Sequence, residues 1–274
     1  ASDVMDAASF TNMELPHSLK GEKDMKQIRT ILAVLCCFAL LMGVSALAAE
    51  APAAGNGDVY ILVTSDVHCG VDQNFGYVGL QAVRDAAEAA GKTTLLVDNG
   101  DSIQGEPIGT MTKGEANIRL MNALHYDVAI PGNHEFDYGM DRFLELSEIA
   151  EFLYISCNFN REGETVFDPY TIKEVDGKKI AFVGVTTPKT LISSTPRNFQ
   201  DETGKFIYGF FQDKTGKQLY DAVQKAADDA RGEGADYVIA LGHLGNEDDC
   251  KPWTYADVIA NTNGIDAFLD GHSH

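Results

Sequence analysis

The chain has 274 residues, of which 45% are hydrophobic, so it is long enough to bury a sizeable core. Its formal net charge of -20 argues against nucleic-acid polymers and anionic membrane surfaces as partners, because both are bound by clustered Lys and Arg. Beyond residue 48 the cysteines are Cys69, Cys157 and Cys250. This odd and sparse set is not a disulfide framework, although one bridge is possible.

The N-terminal region is typical of a Sec-type export signal. Residues 25–48 carry Lys26 and Arg29, then a long apolar run, then the small residues Ala46 and Ala48 that suit cleavage. The alternative is an uncleaved membrane anchor, since the apolar run approaches the length of a membrane span. We expect export to the periplasm, the cell surface or the medium, with no stable membrane insertion after cleavage.

Two short segments flank this signal. Residues 1–24 precede it, and we expect them to be non-native, because a signal peptide normally begins at the translation start. Translated upstream sequence and an added tag are the two possible origins. Residues 49–58 are rich in Ala and Gly and predict a short linker.

Beyond residue 58, apolar strand-like runs alternate with helical patterns, which predicts an α/β fold. In chain order the predicted strands are residues 59–64, 93–97, 126–130, 179–185, 237–241 and 267–269. The predicted helices are residues 78–90, 116–124, 140–152, 219–231 and 254–260. Residues 59–274 therefore form the folded domain.

Five of the six predicted strands lead directly into turns that carry Asp or His. These turns read SDVHCG, DNGDSIQG, PGNHEFD, GHLG and DGHSH. In open α/β sheets, ligands bind at the carboxyl ends of the strands. We therefore expect the five turns to converge on one site.

The first and last of these turns have a spacing that suits metal ligands. In an extended chain residues i and i+2 point to the same side, so Asp66 and His68 can reach one metal ion. His272 and His274 have the same spacing and can reach two adjacent ions. Taken singly, an Asp-x-His pair is also typical of a surface position, and Asp101 is typical of a helix cap or turn.

The PGNHEFD turn combines a ligand with a titratable pair. Gly132 permits close approach of the backbone, and Asn133 offers a neutral oxygen ligand. If a helix begins here, His134 and Asp137 lie on one face, so the carboxylate orients the imidazole and favours its protonated form. The alternative for this turn is a helix capped by Asn133, in which the histidine only makes hydrogen bonds within the protein. Taken alone, His243 is likewise typical of a core or loop histidine.

In this order, the motifs DVH, NGDSIQG, GNHEFDYG, GHLG and GHSH resemble those of the calcineurin-like metallophosphoesterases, and more narrowly the bacterial secreted 5′-nucleotidase group. The resemblance covers residues 59–274 and implies a four-layer αββα sandwich with two mixed β-sheets. It also implies two metal ions that share one bridging ligand, Asp101. One ion would be held by Asp66, His68, Asp101 and His274, and the other by Asp101, Asn133, His243 and His272. The position of His274 is often Gln in nucleotidases.

The resemblance implies phosphoester hydrolysis by two divalent ions, either Mn, Zn, Fe or Co, which activate a water for in-line attack on phosphorus. His134, oriented by Asp137, would stabilise the transition state or protonate the leaving oxygen. We expect a nucleoside 5′-monophosphate as substrate. The alternatives are a 2′,3′-cyclic nucleotide phosphodiesterase, a nucleotide-sugar hydrolase, a related sulfur-ester hydrolase, or an exported binding or adhesion protein with a vestigial metal site.

Two further expectations concern the edges of this site. Cys69 adjoins His68, but we expect it to be a buried bystander because the ligand set is complete without it. The resemblance also implies a C-terminal domain that binds the nucleoside, so we expect residues 59–274 to be a C-terminally truncated catalytic domain.

Overall fold

The computed structural model describes residues 58–274. The predicted upstream segment, the export signal and the linker up to residue 57 lie outside the described residues. Among the described helices, none is both long enough and apolar enough to cross a lipid bilayer.

Strands and helices follow one another as the sequence predicts, with several short elements added. The strands are β1 Val59–Thr64, β2 Thr93–Asp98, β3 Val128–Ala129, β4 Leu153–Tyr154, β5 Asn160–Arg161, β6 Glu164–Thr165, β7 Tyr170–Val175, β8 Lys178–Thr186, β9 Tyr208–Gly209, β10 Tyr237–His243 and β11 Ala267–Leu269. The α-helices are α1 Gly76–Ala89, α2 Pro107–Thr112, α3 Glu115–Ala123, α4 Met140–Ile149, α5 Thr190–Ser193, α6 Lys217–Gly232 and α7 Tyr255–Asn261. Short 3₁₀ helices span His134–Phe136, Pro196–Phe199 and Asp248–Cys250.

The strands form two main sheets and a small third one. In the first sheet the order is β1-β2-β3-β4, and every described pair is parallel. The second sheet has the order β11-β10-β8-β7 and is mixed, because β7 runs antiparallel to β8. A small antiparallel sheet has the order β6-β5-β9.

The α/β class is confirmed, but the expectation of two mixed sheets was wrong for the described strands of the first sheet. Helices α1 to α4 connect its successive strands, and each such crossover returns the chain to the same end of the sheet. Strands joined in this way are parallel, so their carboxyl ends lie along one edge.

Alternating side chains on the strands show that the two main sheets pack face to face. Leu95 and Val97 of β2 belong to a buried cluster that also contains Phe182 of β8. Leu96, between them, belongs to a different cluster with Phe143 of α4. Since successive strand residues point to opposite faces, one face of the first sheet covers the second sheet and the other face is covered by helices.

The second sheet repeats this pattern. Phe182 faces the first sheet, whereas Ala181 and Val183 pack in a cluster with Val223 and Ala227 of α6. The layers are therefore helices, sheet, sheet and helices, which confirms the four-layer αββα sandwich. Both main sheets contribute strand ends to the turns that carry the candidate ligands.

One aromatic side chain anchors the turn after β3 in the helix-covered core. Phe136 has no exposed surface, and its ring centroid lies 5.0 to 5.6 Å from those of Phe143, Phe159, Phe199 and Phe210. Large aromatic contacts of this kind dominate core energetics.

The substitution Phe136→Ala should lower the free energy of unfolding by about 3–5 kcal/mol, because it removes the buried ring and leaves a cavity. Urea denaturation followed by circular dichroism measures this change. Phe206→Ala is the control, since Phe206 is 48% exposed and its loss should change the free energy by less than about 0.5 kcal/mol. Equal effects of the two substitutions would contradict the proposed anchoring.

Candidate metal centre

All the side chains singled out from the sequence meet at the carboxyl ends of β1, β2, β3, β10 and β11. Two groups of candidate ligands stand side by side, and within each group the ligand atoms lie within 4.8 Å of one another. The first group is Asp66, His68 and His274, and the second is Asp101, His243 and His272. The structure therefore brings the five turns together, as the sequence predicts.

Asp101 stands between the two groups. Its Oδ2 lies 3.0 Å from Nε2 of His243 and 4.0 Å from Nε2 of His68. Its other oxygen, Oδ1, accepts a hydrogen bond of 2.8 Å from the backbone N–H of His134. This carboxylate occupies the place that the resemblance gives to a bridging ligand.

In the second group, the Nε2 atom of His243 faces the site without a hydrogen-bond partner among the described residues. His243 is completely buried, and its Nδ1 donates a 2.7 Å hydrogen bond to the carbonyl oxygen of Asn99. A carbonyl can only accept, so Nδ1 carries a proton, and in the neutral ring Nε2 has a lone pair. Nε2 has no hydrogen-bond partner and faces the carboxylate of Asp101. Two buried acceptors that face each other at 3.0 Å fit a cation between them.

The orphaned amide oxygen of Asn133 supports the same interpretation. Asn133 is 2% exposed, and its Oδ1 has no hydrogen-bond partner. Leaving a buried acceptor unsatisfied costs free energy, which coordination to a cation removes. Burial lowers the pKa of His243, but the neighbouring Asp101 raises it to about 9 overall, so a proton holds this place when a metal ion does not.

The first group has the same arrangement of imidazoles. His68 Nδ1 lies 3.2 Å from the carbonyl oxygen of Gln104, and its Nε2 lies 3.3 Å from Nε2 of His274. His274 Nε2 also lies 3.7 Å from Oδ1 of Asp66. Asp66 in turn accepts hydrogen bonds from Ser65 Oγ and from the backbone N–H of His272. Imidazole and carboxylate together suit a divalent transition metal.

The backbone at these ligands is not the one expected from the sequence. Asp66, His68, Asp101, His272 and His274 have φ values of 53°, 47°, 57°, 80° and 57°, all in the left-handed region. The assumption of extended i and i+2 geometry was therefore wrong, although the paired residues do meet. Left-handed conformation is costly for residues other than glycine and concentrates at functional sites.

Two glycines allow the turns after β2 and β3 to touch through their backbones. A Cβ on Gly132 would lie 2.3 Å from Oδ1 of Asp101, and one on Gly100 would lie 2.4 Å from the backbone nitrogen of Gly132. Gly100 also has a φ of 91°. A side chain at Gly132 would displace the candidate ligand Asp101, and one at Gly100 would displace the backbone of Gly132.

Sequence reasoning missed the residue that joins these turns, Glu135. It is 1% exposed and accepts hydrogen bonds from the backbone N–H groups of Gly132 and Asp101, both at 2.7 Å, and of Ser102 at 2.8 Å. Burial raises the pKa of Glu135, while these donors favour its charged form. The sequence signal that could have identified Glu135 was an acidic residue directly before the apolar Phe136.

The pair His134 and Asp137 forms as predicted, on a 3₁₀ turn. His134 Nδ1 lies 2.6 Å from Asp137 Oδ2, and Ser194 Oγ donates a 2.9 Å hydrogen bond to Asp137 Oδ1. The hydrogen bond to Asp137 raises the pKa of His134. The His134 ring meets the His68 ring edge to face at 5.1 Å, and 32% of its side chain remains exposed. His134 can therefore present a protonated nitrogen to a ligand.

Cys69 is a buried thiol, as expected. It is 1% exposed, and its Sγ donates to the carbonyl oxygen of Ser102 at 3.3 Å. Burial raises its pKa to about 12, so it stays protonated. Cys69, Cys157 and Cys250 are all free, so the possible disulfide bridge is not formed among the described residues.

Comparison with known proteins agrees with this geometry. A family model described as calcineurin-like phosphoesterase matches residues 59–274. The chain belongs to the calcineurin-like phosphoesterase family. The crystal structure of calcineurin-like phosphoesterase YfkN from Bacillus subtilis is similar, with a TM-score of 0.63, 29% sequence identity, and coverage of 78% of this chain and 71% of that chain.

Similar curated proteins share this family domain within longer chains. The trifunctional nucleotide phosphoesterase YfkN of Bacillus subtilis is 28% identical over 90% of this chain. The 2′,3′-cyclic-nucleotide 2′-phosphodiesterase/3′-nucleotidase of Yersinia enterocolitica is 30% identical over 86%, and the snake venom 5′-nucleotidase of Naja atra is 29% identical over 80%. The chain spans 18%, 39% and 42% of these three relatives.

The substitution Glu135→Gln should lower the free energy of unfolding of the metal-free protein by about 1.5–3 kcal/mol, because an amide cannot satisfy all the facing N–H groups. It should also weaken Mn²⁺ binding, since Asp101 and Asn133 lose their common support. Urea denaturation in EDTA and calorimetric titration with Mn²⁺ measure the two effects. Glu148→Gln, on the exposed surface of α4, is the control. If both variants behave alike, Glu135 does not support the site.

Proposed function

We propose that this domain hydrolyses phosphoesters with two divalent metal ions, and that its substrate is a nucleoside 5′-monophosphate. The observation that carries the proposal is the buried pair of facing acceptors, His243 Nε2 and Asp101 Oδ2, beside the His134–Asp137 pair. The first pair fits a cation, and the second pair can supply a proton at the edge of the same site. Family membership independently supports a phosphoester as substrate.

Seven side chains would hold the metal ions. They are Asp66, His68, Asp101, Asn133, His243, His272 and His274. When bound, two divalent ions polarise phosphoryl oxygens and supply an activated water for attack on phosphorus. Because only two of these ligands are carboxylates, the site stays positive and attracts a phosphate despite the chain's net charge of -20. The mixture of carboxylate, amide and imidazole ligands favours Mn, Zn, Fe or Co.

His134 is the residue that handles the proton. Its Nδ1 is held by Asp137, which in turn is fixed by Ser194, so the imidazole ring has one orientation. The second nitrogen, Nε2, then remains free to donate to a phosphoryl oxygen in the transition state or to the leaving oxygen. The raised pKa of His134 keeps that proton available near neutral pH.

The choice of a nucleotide rests on similarity. The relative from Naja atra is named a 5′-nucleotidase, and the relative from Bacillus subtilis is named a nucleotide phosphoesterase. The second candidate function, a 2′,3′-cyclic nucleotide phosphodiesterase, is favoured by the Yersinia relative at 30% identity. We propose further that residues 25–48 direct export, that residues 49–58 form a linker, and that another domain takes part in binding the nucleoside.

The first experiment measures hydrolysis of four substrates by the full-length protein, with Mn²⁺ and with EDTA. The substrates are AMP, UDP-glucose, a 2′,3′-cyclic nucleotide and bis-p-nitrophenyl phosphate. We expect metal-dependent release of phosphate from AMP to be fastest. Faster cleavage of a diester would move the assignment to phosphodiesterase. No hydrolysis at full metal occupancy would refute the catalytic role and support a binding protein.

The substitution His134→Asn should slow turnover of AMP by about 100- to 10,000-fold, because it removes the acid, while metal stoichiometry stays unchanged. Steady-state kinetics and metal analysis of the purified protein measure the two quantities. His125→Asn is a matched control, since His125 is exposed and its φ of 53° suits asparagine. Loss of metal from His134→Asn would show that His134 is a ligand rather than the acid.

A further inference from the structure

The second half of the GNHEFDYG motif lines a pocket that the proposed reaction does not use. Tyr138 and Gly139 follow the His134–Asp137 pair directly and form part of the pocket wall. The cavity has a volume of about 720 Å³, and none of the nine candidate site residues lines it. Cavities of roughly 300–1,000 Å³ are typical of small-molecule sites.

The wall of this pocket is unusually basic for a chain with a net charge of -20. Four of the chain's 21 Lys and Arg residues line it, against two acidic residues. The basic residues are Lys113, Arg142, Arg161 and Arg197, and the acidic ones are Asp141 and Glu145. The pocket therefore has a local excess of positive charge.

The guanidinium of Arg142 already forms ion pairs within the protein. It donates to Glu145 at 2.7 Å and to Glu115 at 3.1 Å. By contrast, within residues 58–274 the guanidinium groups of Arg161 and Arg197 have neither an ion-pair partner nor a hydrogen bond. These two groups, with the Lys113 ammonium, remain open to a ligand and outweigh the single opposing charge of Asp141.

Two further features affect this positive charge: one fixes the position of Arg161, and the other adds to the local potential. The guanidinium of Arg161 lies over the ring of Tyr208 at 5.6 Å, and that ring is itself stacked on Phe159 at 5.8 Å. Helix α4 begins at Met140 in the pocket wall, and Asp141 lies in its first turn. The positive end of the helix dipole therefore points toward the pocket and partly offsets the charge of Asp141.

The geometry points to a second anion site in this pocket, which binds the phosphate group of a phosphorylated small molecule. The planar donors of two open arginines match phosphate oxygens, and three open cations suit a doubly charged phosphate better than a single carboxylate. The volume leaves room for an organic part beside the phosphate. The site goes beyond the proposed function, because no candidate metal ligand belongs to it.

Calorimetric titration of the full-length protein, kept metal-free in EDTA, tests this site. The titrants are glucose 6-phosphate, inorganic phosphate and glucose, none of which carries the nucleoside that another domain is proposed to bind. We expect saturable 1:1 binding of glucose 6-phosphate or phosphate and none of glucose. The double variant Arg161→Gln/Arg197→Gln should weaken binding by at least about tenfold, because two charge-assisted hydrogen bonds are lost.

The matched control is Lys178→Gln/Lys214→Gln, which removes the same charge from exposed positions outside the pocket. It should change the affinity by less than about twofold, since distant surface charges are screened. Tighter binding of glucose 6-phosphate than of phosphate would identify an organic phosphate as the ligand, and equal binding would identify free phosphate.

Three outcomes would overturn the inference. They are no saturable binding of either phosphate compound, equal weakening in both double variants, and binding of glucose as tight as that of glucose 6-phosphate. Both arginines are exposed, so circular dichroism and melting temperatures should show that the variants remain folded. Because metals and turnover are absent from the titration, a negative result here leaves the hydrolytic proposal intact.

Discussion

The carboxylate of Glu135 is the contact on which the geometry of the site depends. It is buried, and it accepts N–H groups from the turn after β2 and from its own turn after β3. These two turns carry Asp101, Asn133 and His134. Phe136, the next residue, fixes the same turn in the aromatic core. A single short segment thus links the hydrophobic packing of the domain to the positions of two candidate ligands, Asp101 and Asn133, and of the proposed acid, His134.

Local electrostatics outweigh the overall charge in this chain. The net charge of -20 does not prevent recognition of anions, because charges beyond roughly 8 Å are screened at physiological ionic strength. What matters is the composition of each concave surface. In the candidate metal centre only two of the seven candidate ligands are carboxylates, so two bound divalent ions would leave it positive. In the pocket beside α4, Arg161 and Arg197 have no acidic partners among the described residues. Both surfaces would then attract a phosphate.

Much of the fold was predictable, because long apolar runs identify the buried strands β1, β2, β8 and β10. The half-buried strand β7 was missed because Lys173 and Glu174 interrupt its pattern, and strands of two residues have no periodicity to detect. The site residues could be chosen because strand ends and ligand types coincide. The left-handed backbone conformation of these residues could not be predicted. It depends on long-range hydrogen bonds such as the 3.0 Å bond from the Asp66 N–H to the Gly100 carbonyl. Two of the donors to Glu135, the N–H groups of Asp101 and Ser102, likewise come from residues more than 30 positions away.

Each group of candidate ligands takes members from both sheets of the sandwich. Asp66 and His68 follow β1 of the first sheet, while His274 follows β11 of the second. Asp101 follows β2, while His243 ends β10. A cation in either group would therefore act as a cross-link between the two sheets. Resistance of the sandwich to heat and to proteases would then vary with the supply of metal, quite apart from catalysis.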